Sequence, residues 1–317
     1  MEFTTEQLMQ VKELFPQANA ISLLTTMAFS QENEETAQAP LEIEGVISGG
    51  ALSDEAARLL DVLAHPEGGF QYELEDPFAY LSLMTYRKGD QIVEVQQAGD
   101  RFQIGWLEET GPLIRDISRL TGFSDQSICQ IDAALTGTQT AVLLALWDLQ
   151  RVSAIRSFIG EGSMESVFTP EQIRNALDSP VGGSLLALVR SRYPGEIAMP
   201  EDLGAVLDAL NSEGVVERDG RGWSLVDDYA LFGITFLMPE FTGSLDLLQL
   251  EEEKELIHIP VMYVSAGMRN NLLLSFGPKV GINTVPARQY LKQVEAFLLC
   301  PPLTTADGNA TLDSNPQ

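Results

Sequence analysis

The residue types that most often perform acid–base or metal chemistry are scarce in this chain, which has two histidines and two cysteines. His65 precedes Pro66 at the predicted end of a helix, where a solvent-facing position is usual. His258 alternates with Ile257 and Ile259 in a predicted strand, and it would need a nucleophile or a carboxylate beside it to act as a base. Neither histidine has the spacing to another His or Cys that a zinc site requires.

The sequence also lacks the motifs of common catalytic and cofactor sites. It contains no P-loop, no G-x-S-x-G elbow, no H-E-x-x-H and no EF-hand loop, and the glycines of residues 45–50 do not form the dinucleotide fingerprint. Carboxylates are too numerous for any one pair to be informative. We therefore predict no metal, no cofactor and no enzymatic activity. An enzyme that uses carboxylates with a bound metal or nucleotide is a third hypothesis, with His258 as the residue to watch.

The charge of the chain is strongly negative. Nineteen Lys and Arg residues stand against 46 Asp and Glu residues, a formal charge of −27. Such a field repels phosphate backbones and anionic lipids, and it favours basic or neutral partners. An acidic proteome or a salty habitat explains the charge equally well.

Other features of the sequence predict a cytoplasmic protein. Cys129 and Cys300 lie in apolar patterns that predict buried free thiols. Glu2 and Glu6 stand where a signal peptide would be basic or apolar. Asp148 interrupts the longest apolar run, so no membrane span is predicted.

The positions of apolar residues and turns predict an α+β fold with two helix, antiparallel-sheet and helix units. In the first unit, Ser53 caps a helix, strands follow near residues 70–74, 78–86, 91–96 and 101–106, and Pro112 opens a second helix. Residues 124–193 are predicted to be helical throughout. Strands are then predicted at 230–238, 244–250, 256–265 and 271–276, before a helix over 286–299.

These elements suggest four contiguous segments. An N-terminal α+β unit over residues 1–123 precedes a helical centre over 124–199, a C-terminal α+β unit over 200–303 and a disordered tail over 304–317. Residues 59–63 and 206–210 are similar, and we hypothesise a pseudo-repeat of the two α+β units. The alternative is that helices followed by meanders arose by chance.

Residues 170–228 resemble a winged-helix segment, as in MarR-like regulators. The resemblance lies in a capped helix from Pro200, the stop at Gly214 and the turn of residues 219–222 between two strands. It implies a regulator that contacts nucleic acid through four arginines: Arg190, Arg192, Arg218 and Arg221. However, Glu201, Asp202 and Asp208 lie in the helix that would face the groove, and that helix has no Lys or Arg, so DNA binding is the weaker alternative.

Residues 52–122 resemble the EspG-type chaperones of type VII (ESX) secretion. The resemblance lies in the order of a helix (LSDEAARLLDVLAHPEG), two Gly-Asp turns (LMTYRKGDQIVEVQQAGDRFQIGWL) and a closing helix (PLIRDISRLTG). It implies a cytosolic, non-enzymatic protein that binds a helical secretion substrate.

We therefore rank a cytoplasmic protein-binding module, such as a secretion or assembly chaperone or adaptor, above a winged-helix regulator and an enzyme. A binding surface should expose more apolar side chains than an ordinary surface does. The stretch from Gly222 to Glu253 contains no Lys or Arg and is rich in such residues. The candidate partner-binding residues in it are Phe241, Leu245, Leu247 and Leu248, and ordinary strand core is the alternative for each.

Overall fold

The computed structural model describes residues 1–26, 46–48, 51–75, 80–220, 222–237, 239–250, 256–266, 270–306 and 309–312. The chain is an α+β protein of helices and antiparallel strands. The helices are α1 (Thr5–Leu14), α2 (Leu23–Thr26), α3 (Asp54–Ala64), α4 (Gly111–Thr121), α5 (Gly137–Phe158), α6 (Pro170–Asp178), α7 (Leu185–Arg192), α8 (Leu203–Ser212), α9 (Asp227–Thr235) and α10 (Ala287–Leu298). The strands are β1 (Glu2–Thr4), β2 (Ile47–Ser48), β3 (Ala51–Leu52), β4 (Gly68–Glu75), β5 (Tyr80–Lys88), β6 (Gln91–Ala98), β7 (Arg101–Trp106), β8 (Asp132–Leu135), β9 (Val167–Phe168), β10 (Val216–Asp219), β11 (Gly222–Leu225), β12 (Pro239–Leu250), β13 (Leu256–Ala266), β14 (Asn270–Ser275), β15 (Val280–Val285), β16 (Leu303–Ala306) and β17 (Asn309–Leu312).

The chain forms two compact units, and each contains more than one segment. The first unit consists of Met1–Ile117, Gly243–Pro260 and Lys292–Gln317, and the second of Ser118–Thr242 and Val261–Leu291. This division cuts across the contiguous segments predicted from the sequence, because the chain returns to the first unit along β12 and again along α10. Whether the predicted boundaries delimit segments that fold alone stays a prediction.

The first unit is built on a sheet with the strand order β1-β7-β6-β5-β4-β12. One face of this sheet carries Met84, Val93 and Ile104, which are buried with side chains of α1, α2 and α3. On the other face, the Phe70 ring lies 5.8 Å from the ring of Phe297 in α10. Both faces of the central strands are therefore covered.

The second unit surrounds α5, whose first half is apolar on all sides and buried. Helices α6, α7, α8 and α9 all contact α5. A sheet with the order β13-β14-β15-β8 and a small sheet with the order β10-β11-β9 complete the unit. Within the described ranges, every helix falls short of the combined length and apolarity needed to cross a bilayer.

Local signals in the sequence placed many element boundaries correctly. The side chain of Ser53 accepts a hydrogen bond from a backbone N–H group in the first turn of a helix, as predicted, and the side chains of Thr169 and Ser184 do the same in α6 and α7. Gly89 and Gly99 adopt φ angles of 57° and 65° in the two predicted hairpin turns. This left-handed backbone is accessible to glycine at little cost.

Two predictions of secondary structure were wrong. Residues 124–193 are not helical throughout, because β8 and β9 interrupt them and pair with β15 and β11. The described residues of 230–238 do not begin a strand, because residues up to Thr235 belong to α9. In both cases, contacts distant in sequence decide the local structure. The described part of the predicted tail contains the β16–β17 hairpin, and its disorder stays a prediction.

Candidate protein-binding surface

Helix α9 lies against the centre of the second unit. The indole Nε1 of Trp147 donates a hydrogen bond of 2.8 Å to the carbonyl oxygen of Tyr229. The ring of Phe232 lies 4.5 Å from the ring of Trp147, and it stacks on Phe236 with 5.4 Å between centroids. These contacts explain why a segment rich in aromatic and β-branched residues forms a helix, since tertiary packing overrides local propensity.

The opposite face of α9 is also apolar, although it faces solvent. Leu231 and Ile234, three residues apart, lie side by side on this face and are 36% and 37% exposed. Leu237, directly after the helix, is 38% exposed. A helix that is apolar on all sides is usually buried on all sides. We call Leu231, Ile234 and Leu237 the α9 stripe.

Acidic residues flank the α9 stripe in the sequence. Asp227, four residues before Leu231, and Glu240, three residues after Leu237, are exposed. The surrounding sequence has no Lys or Arg from Gly222 to Glu253. Asp227 also has a φ angle of 43°, which is uncommon for a residue other than glycine but is tolerated by Asp and Asn. The stripe is therefore a group of partly exposed apolar residues in an acidic stretch of sequence.

Beneath α9 and the neighbouring helix α7, the core of the second unit contains charged and polar side chains of α5. The two carboxylate oxygens of Asp148 accept hydrogen bonds of 2.9 and 3.0 Å from the N–H groups of Leu185 and Leu186, at the start of α7. Burial raises the pKa of Asp148, although these N–H groups and Arg151 favour its charged form. Asp148 therefore holds α7 against α5.

Two polar atoms in this cluster lack a hydrogen bond. Gln150 Oε1 and Arg151 Nε are buried, and neither has a partner within the described part of the chain. The Arg151 guanidinium lies 5.6 Å from the ring centroid of Phe236 in α9. A Cβ atom on Gly233 would collide with Gln150 Oε1, so glycine allows α9 to approach α5 closely.

The structure places the predicted partner-binding residues on β12. Leu245 and Leu247 are buried, with 2% and 3% exposure, so both contribute to packing. Phe241 and Leu248 are half-buried. Phe241 belongs to the second unit and Leu248 to the first. The partner-binding role of these four residues stays a prediction.

The α9 stripe was not predicted from the sequence, because a strand was predicted over the same residues. The spacing of Leu231 and Ile234 fits one face of a helix, and the stripe lies in the stretch without basic residues that was singled out. The missing information was the non-local contact with Trp147.

The arginines predicted as nucleic-acid contacts are partly engaged in other interactions. Arg190 Nη1 donates a hydrogen bond of 3.4 Å to the carbonyl oxygen of Leu177. The Arg218 guanidinium lies 5.9 Å from the ring centroid of Trp223. Arg192 is half-buried, and Arg221 lies outside the described residues. Their role in nucleic-acid binding stays a prediction.

The two histidines each pair with a carboxylate of the first unit. His258 Nε2 lies 2.9 Å from Asp246 Oδ1, and His65 Nδ1 lies 3.1 Å from Asp61 Oδ1. Asp61 Oδ2 also lies 2.6 Å from Lys88 Nζ. Within the described residues, no cluster of three His, Cys, Asp or Glu side chains could hold a metal ion.

An open depression of about 520 Å³ lies between the start of α4 and helix α10 in the first unit. Its polar lining includes Glu108, Glu109, Lys292 and Glu295, and His258 is not among its residues. A histidine beside the acids of a cavity would favour the enzyme hypothesis, and the lining of this depression does not include one.

Comparison with known proteins gave a match among solved structures. No protein-family model matches the chain, and no curated protein sequence matches it. Among solved structures, the chain is similar to the Mycobacterium tuberculosis type VII secretion system chaperone EspG5, solved in complex with the PE25–PPE41 dimer. The identity is 12%, the match covers 81% of each chain, and the TM-score is 0.44. A likeness at this level assigns neither a family nor a partner to this chain.

Proposed function

We propose that this chain is a non-catalytic protein-binding module, a chaperone or adaptor, whose partner packs on the α9 stripe. The observation that carries the proposal is that α9 exposes two adjacent aliphatic side chains, Leu231 and Ile234, on the face opposite its buried aromatic residues. Its inner face is buried against Trp147, whereas Leu231, Ile234 and Leu237 remain partly exposed. Exposing adjacent large apolar side chains on one helix face is costly unless a partner covers them.

The negative charge supports a protein partner over a nucleic acid or an anionic membrane. The net charge of −27 opposes the approach of phosphate groups. The sequence around the stripe, from Gly222 to Glu253, contains no Lys or Arg that could contact a phosphate. Phe241 lies in the same unit as the stripe, and the proposal keeps for it the partner-binding role predicted from the sequence.

The test is affinity capture by the full-length chain from the cells that produce it, with quantitative mass spectrometry. We expect a protein partner that is retained by the unchanged chain and by Met9→Ser, and lost by the double variant Leu231→Ser/Ile234→Ser. Met9 is a matched control, because it is 37% exposed on α1 in the first unit. Circular dichroism and thermal unfolding establish that both variants are folded.

Two results would overturn the proposal. One is a set of captured proteins that is unchanged in the Leu231→Ser/Ile234→Ser variant. The other is capture of nucleic acid in place of protein, released as the salt concentration rises. The separate variant Phe241→Ser tests this residue, and it should weaken capture less than the double variant does.

A further inference from the structure

We infer that the outer edge of β8 (Asp132–Leu135) accepts a basic, extended peptide segment as an additional antiparallel strand. This edge belongs to the second unit and is separate from the α9 stripe, so it extends the proposed function to a second surface. Strand β8 is the last strand of the order β13-β14-β15-β8, and no described strand pairs with its outer side. The backbone groups along such an edge can pair with the strand of another molecule.

The register of β8 determines which of its backbone groups point outward. The N–H group of Thr284 donates a hydrogen bond of 3.0 Å to the carbonyl oxygen of Ile131. In an antiparallel pair, residues that bond the opposite strand alternate with residues whose N–H and C=O groups point away from it. Asp132 and Ala134 follow Ile131 by one and three residues in the same register. Their backbone groups therefore point away from β15.

The outer edge is open at these two residues. Asp132 and Ala134 are exposed, whereas Leu135, which points to the core, is only 2% exposed. The N–H group of Gln130 also points outward, and it donates a hydrogen bond of 3.0 Å to Asp228 Oδ2. Within the described ranges, the outward groups of Asp132 and Ala134 have no such partner. The edge is therefore covered at Gln130 and accessible beyond it.

Carboxylates lie before, on and beyond this accessible edge. Asp228 binds at its start, and Asp132 is part of the strand. Glu213 Oε1 accepts a hydrogen bond of 3.1 Å from Nε2 of Gln139, which lies in the first turn of α5 directly after β8. Burial raises the pKa of Tyr229, and the negative charges of Glu213 and Asp132 raise it further, so both carboxylates lie near this phenol. An added strand that carries Lys or Arg would meet opposite charges here.

The same charges oppose a second copy of the chain as the occupant. Two β8 strands joined in antiparallel fashion would place both Asp132 carboxylates on the same face of the joined sheet, where like charges weaken pairing. Each copy also has a net charge of −27. Lys279 directly precedes β15 and lies one strand inward, so the edge itself stays acidic.

The register also defines the side-chain pattern of the occupant. Residues that bond Asp132 and Ala134 have side chains on the same, solvent-facing side, where Lys or Arg is favoured. The alternate residues face the side of Ala133, which packs against the core around α5, so apolar β-branched residues fit there. Strand β8 has four residues, about 13 Å, and a short alternating segment is long enough to pair with it.

The test is fluorescence anisotropy of labelled peptides with the full-length chain. The reference peptide alternates Lys and Val over about eight residues, and a second peptide has Glu in place of Lys. Two further peptides are N-methylated, one on the backbone nitrogens of its lysines and the other on those of its valines. In the antiparallel register, the lysine N–H groups face β8 and the valine N–H groups face solvent, so only the first methylation removes donors to β8.

We expect the reference peptide and the valine-methylated peptide to bind alike. The lysine-methylated peptide and the glutamate peptide should each bind at least ~10-fold more weakly, because the first loses backbone hydrogen bonds and the second meets like charges. Binding of the reference peptide should weaken between about 50 mM and about 300 mM salt, since exposed charges are screened over this range.

Substitutions in the chain test the same edge. Ala134→Pro removes one outward N–H group and should weaken binding of the reference peptide at least ~5-fold, whereas the pairing of β8 with β15 does not use that group. Its matched control, Ala134→Val, keeps the N–H group and should bind within about 2-fold of the unchanged chain. Leu231→Ser/Ile234→Ser should leave peptide binding unchanged. Circular dichroism establishes that the variants are folded, and the two methylated peptides test the pairing without any substitution.

Several outcomes would overturn the inference. Equal binding of the two methylated peptides would show that backbone pairing is not involved, and equal binding of the glutamate peptide would remove the charge preference. Unchanged binding by folded Ala134→Pro would place the peptide elsewhere, and lost binding by Leu231→Ser/Ile234→Ser would place it on the α9 stripe. A dimer of the unchanged chain that Ala134→Pro dissociates, measured by sedimentation velocity, would assign the edge to a second copy.

Discussion

Asp148 shows how a single side chain organises the second unit. It interrupts the longest apolar run of the sequence, and from the sequence alone it served only to exclude a membrane span. In the structure, its carboxylate accepts two backbone N–H groups at the start of α7 and lies 3.6 Å from Arg151 Nη2. Its role could not be predicted, because the partners in α7 are more than 35 residues away along the chain.

We predict that Asp148→Ala lowers the free energy of unfolding by about 3–5 kcal/mol, because it leaves Arg151 buried without its carboxylate and α7 without its N-terminal acceptor. Urea denaturation measures the loss. Asp148→Asn is the control, since it keeps one acceptor oxygen and should lose about 1–3 kcal/mol. A loss below about 1 kcal/mol for Asp148→Ala would contradict this role.

The difference in stability between the unchanged chain and Asp148→Ala should depend on pH, and the pKa of Asp148 determines the sign of this dependence. Burial raises the pKa of Asp148 above its usual value of 3.8, so the folded protein binds this proton more tightly than the unfolded chain does. The contribution of Asp148 to stability is therefore fully present below pH 3.8, and it decreases as the pH rises through the raised pKa. Urea denaturation of the unchanged chain and of Asp148→Ala across this range should show that the difference between their free energies of unfolding decreases with increasing pH.

Gly233 depends on its neighbour Gln150 in a way that substitution can test. We predict that Gly233→Ala destabilises the protein by about 1–3 kcal/mol, because the new Cβ overlaps the buried Gln150 side chain. Gln150→Ala in the same chain should recover most of the loss. Gly204→Ala in α8 is the control, because its surroundings are open apart from Asp202, and it should be neutral or stabilising by up to about 1 kcal/mol. Equal changes in the free energy of unfolding at positions 233 and 204, measured by urea denaturation, would contradict the requirement for glycine where α9 approaches α5.

At the scale of elements, prediction succeeded where the deciding interactions are local. Helix caps such as Ser53 and hairpin turns such as that at Gly99 depend on residues within a few positions, so the sequence contains the necessary information. Helix α9 depends on Trp147, which is 82 residues away from the carbonyl group that it binds. For the same reason, the alternation of apolar and polar residues in β12 predicted a strand, but it left open whether the side chains of Leu245 and Leu247 would be buried.

The hairpins provide a prediction at this scale. Gly99→Ala should cost about 1–2 kcal/mol, because its φ angle of 65° lies in the left-handed region. Gly105→Ala, in the adjoining strand β7, should be neutral or slightly stabilising, because no atom lies within 4 Å of the added Cβ. Thermal unfolding of both variants tests the difference. A loss at position 105 as large as that at position 99 would indicate that general strand packing, and not the turn, is responsible.

At the scale of the whole molecule, composition gave the charge and the pattern of apolar residues gave the fold class. Neither predicted which segments of the chain form each unit. The α+β class follows from alternating helix and strand patterns, and the structure confirms it. Parts of β12 and α10 belong to the first unit because of contacts between residues distant in sequence. No change in composition along the chain indicates these contacts. The α9 stripe was not identified from the sequence, since the exposure of Leu231 and Ile234 depends on the complete packing of α9.

The charge of −27 should make stability depend on salt. Repulsion among carboxylates opposes the compact state, and salt screens it. We expect the midpoint of thermal unfolding to rise by about 2–4 °C between about 20 mM and about 200 mM NaCl, which corresponds to about 1 kcal/mol, and then to level off. Differential scanning calorimetry provides the measurement. A continued linear rise at higher salt would indicate exclusion of salt from the surface, and a constant midpoint would show that the charges are already far enough apart.

The two buried cysteines have a practical consequence for following the motions of the chain. Cys300 belongs to the first unit and Cys129 to the second, and burial raises the pKa of both thiols to about 11. Because the thiolate is the form that reacts, an alkylating reagent at neutral pH modifies each sulfur only when the surrounding unit opens. The natural chain thus contains one cysteine in each unit whose rate of alkylation reports the opening of that unit. The two labelling rates, resolved by mass spectrometry of the peptides, report the opening of each unit separately without any introduced residue.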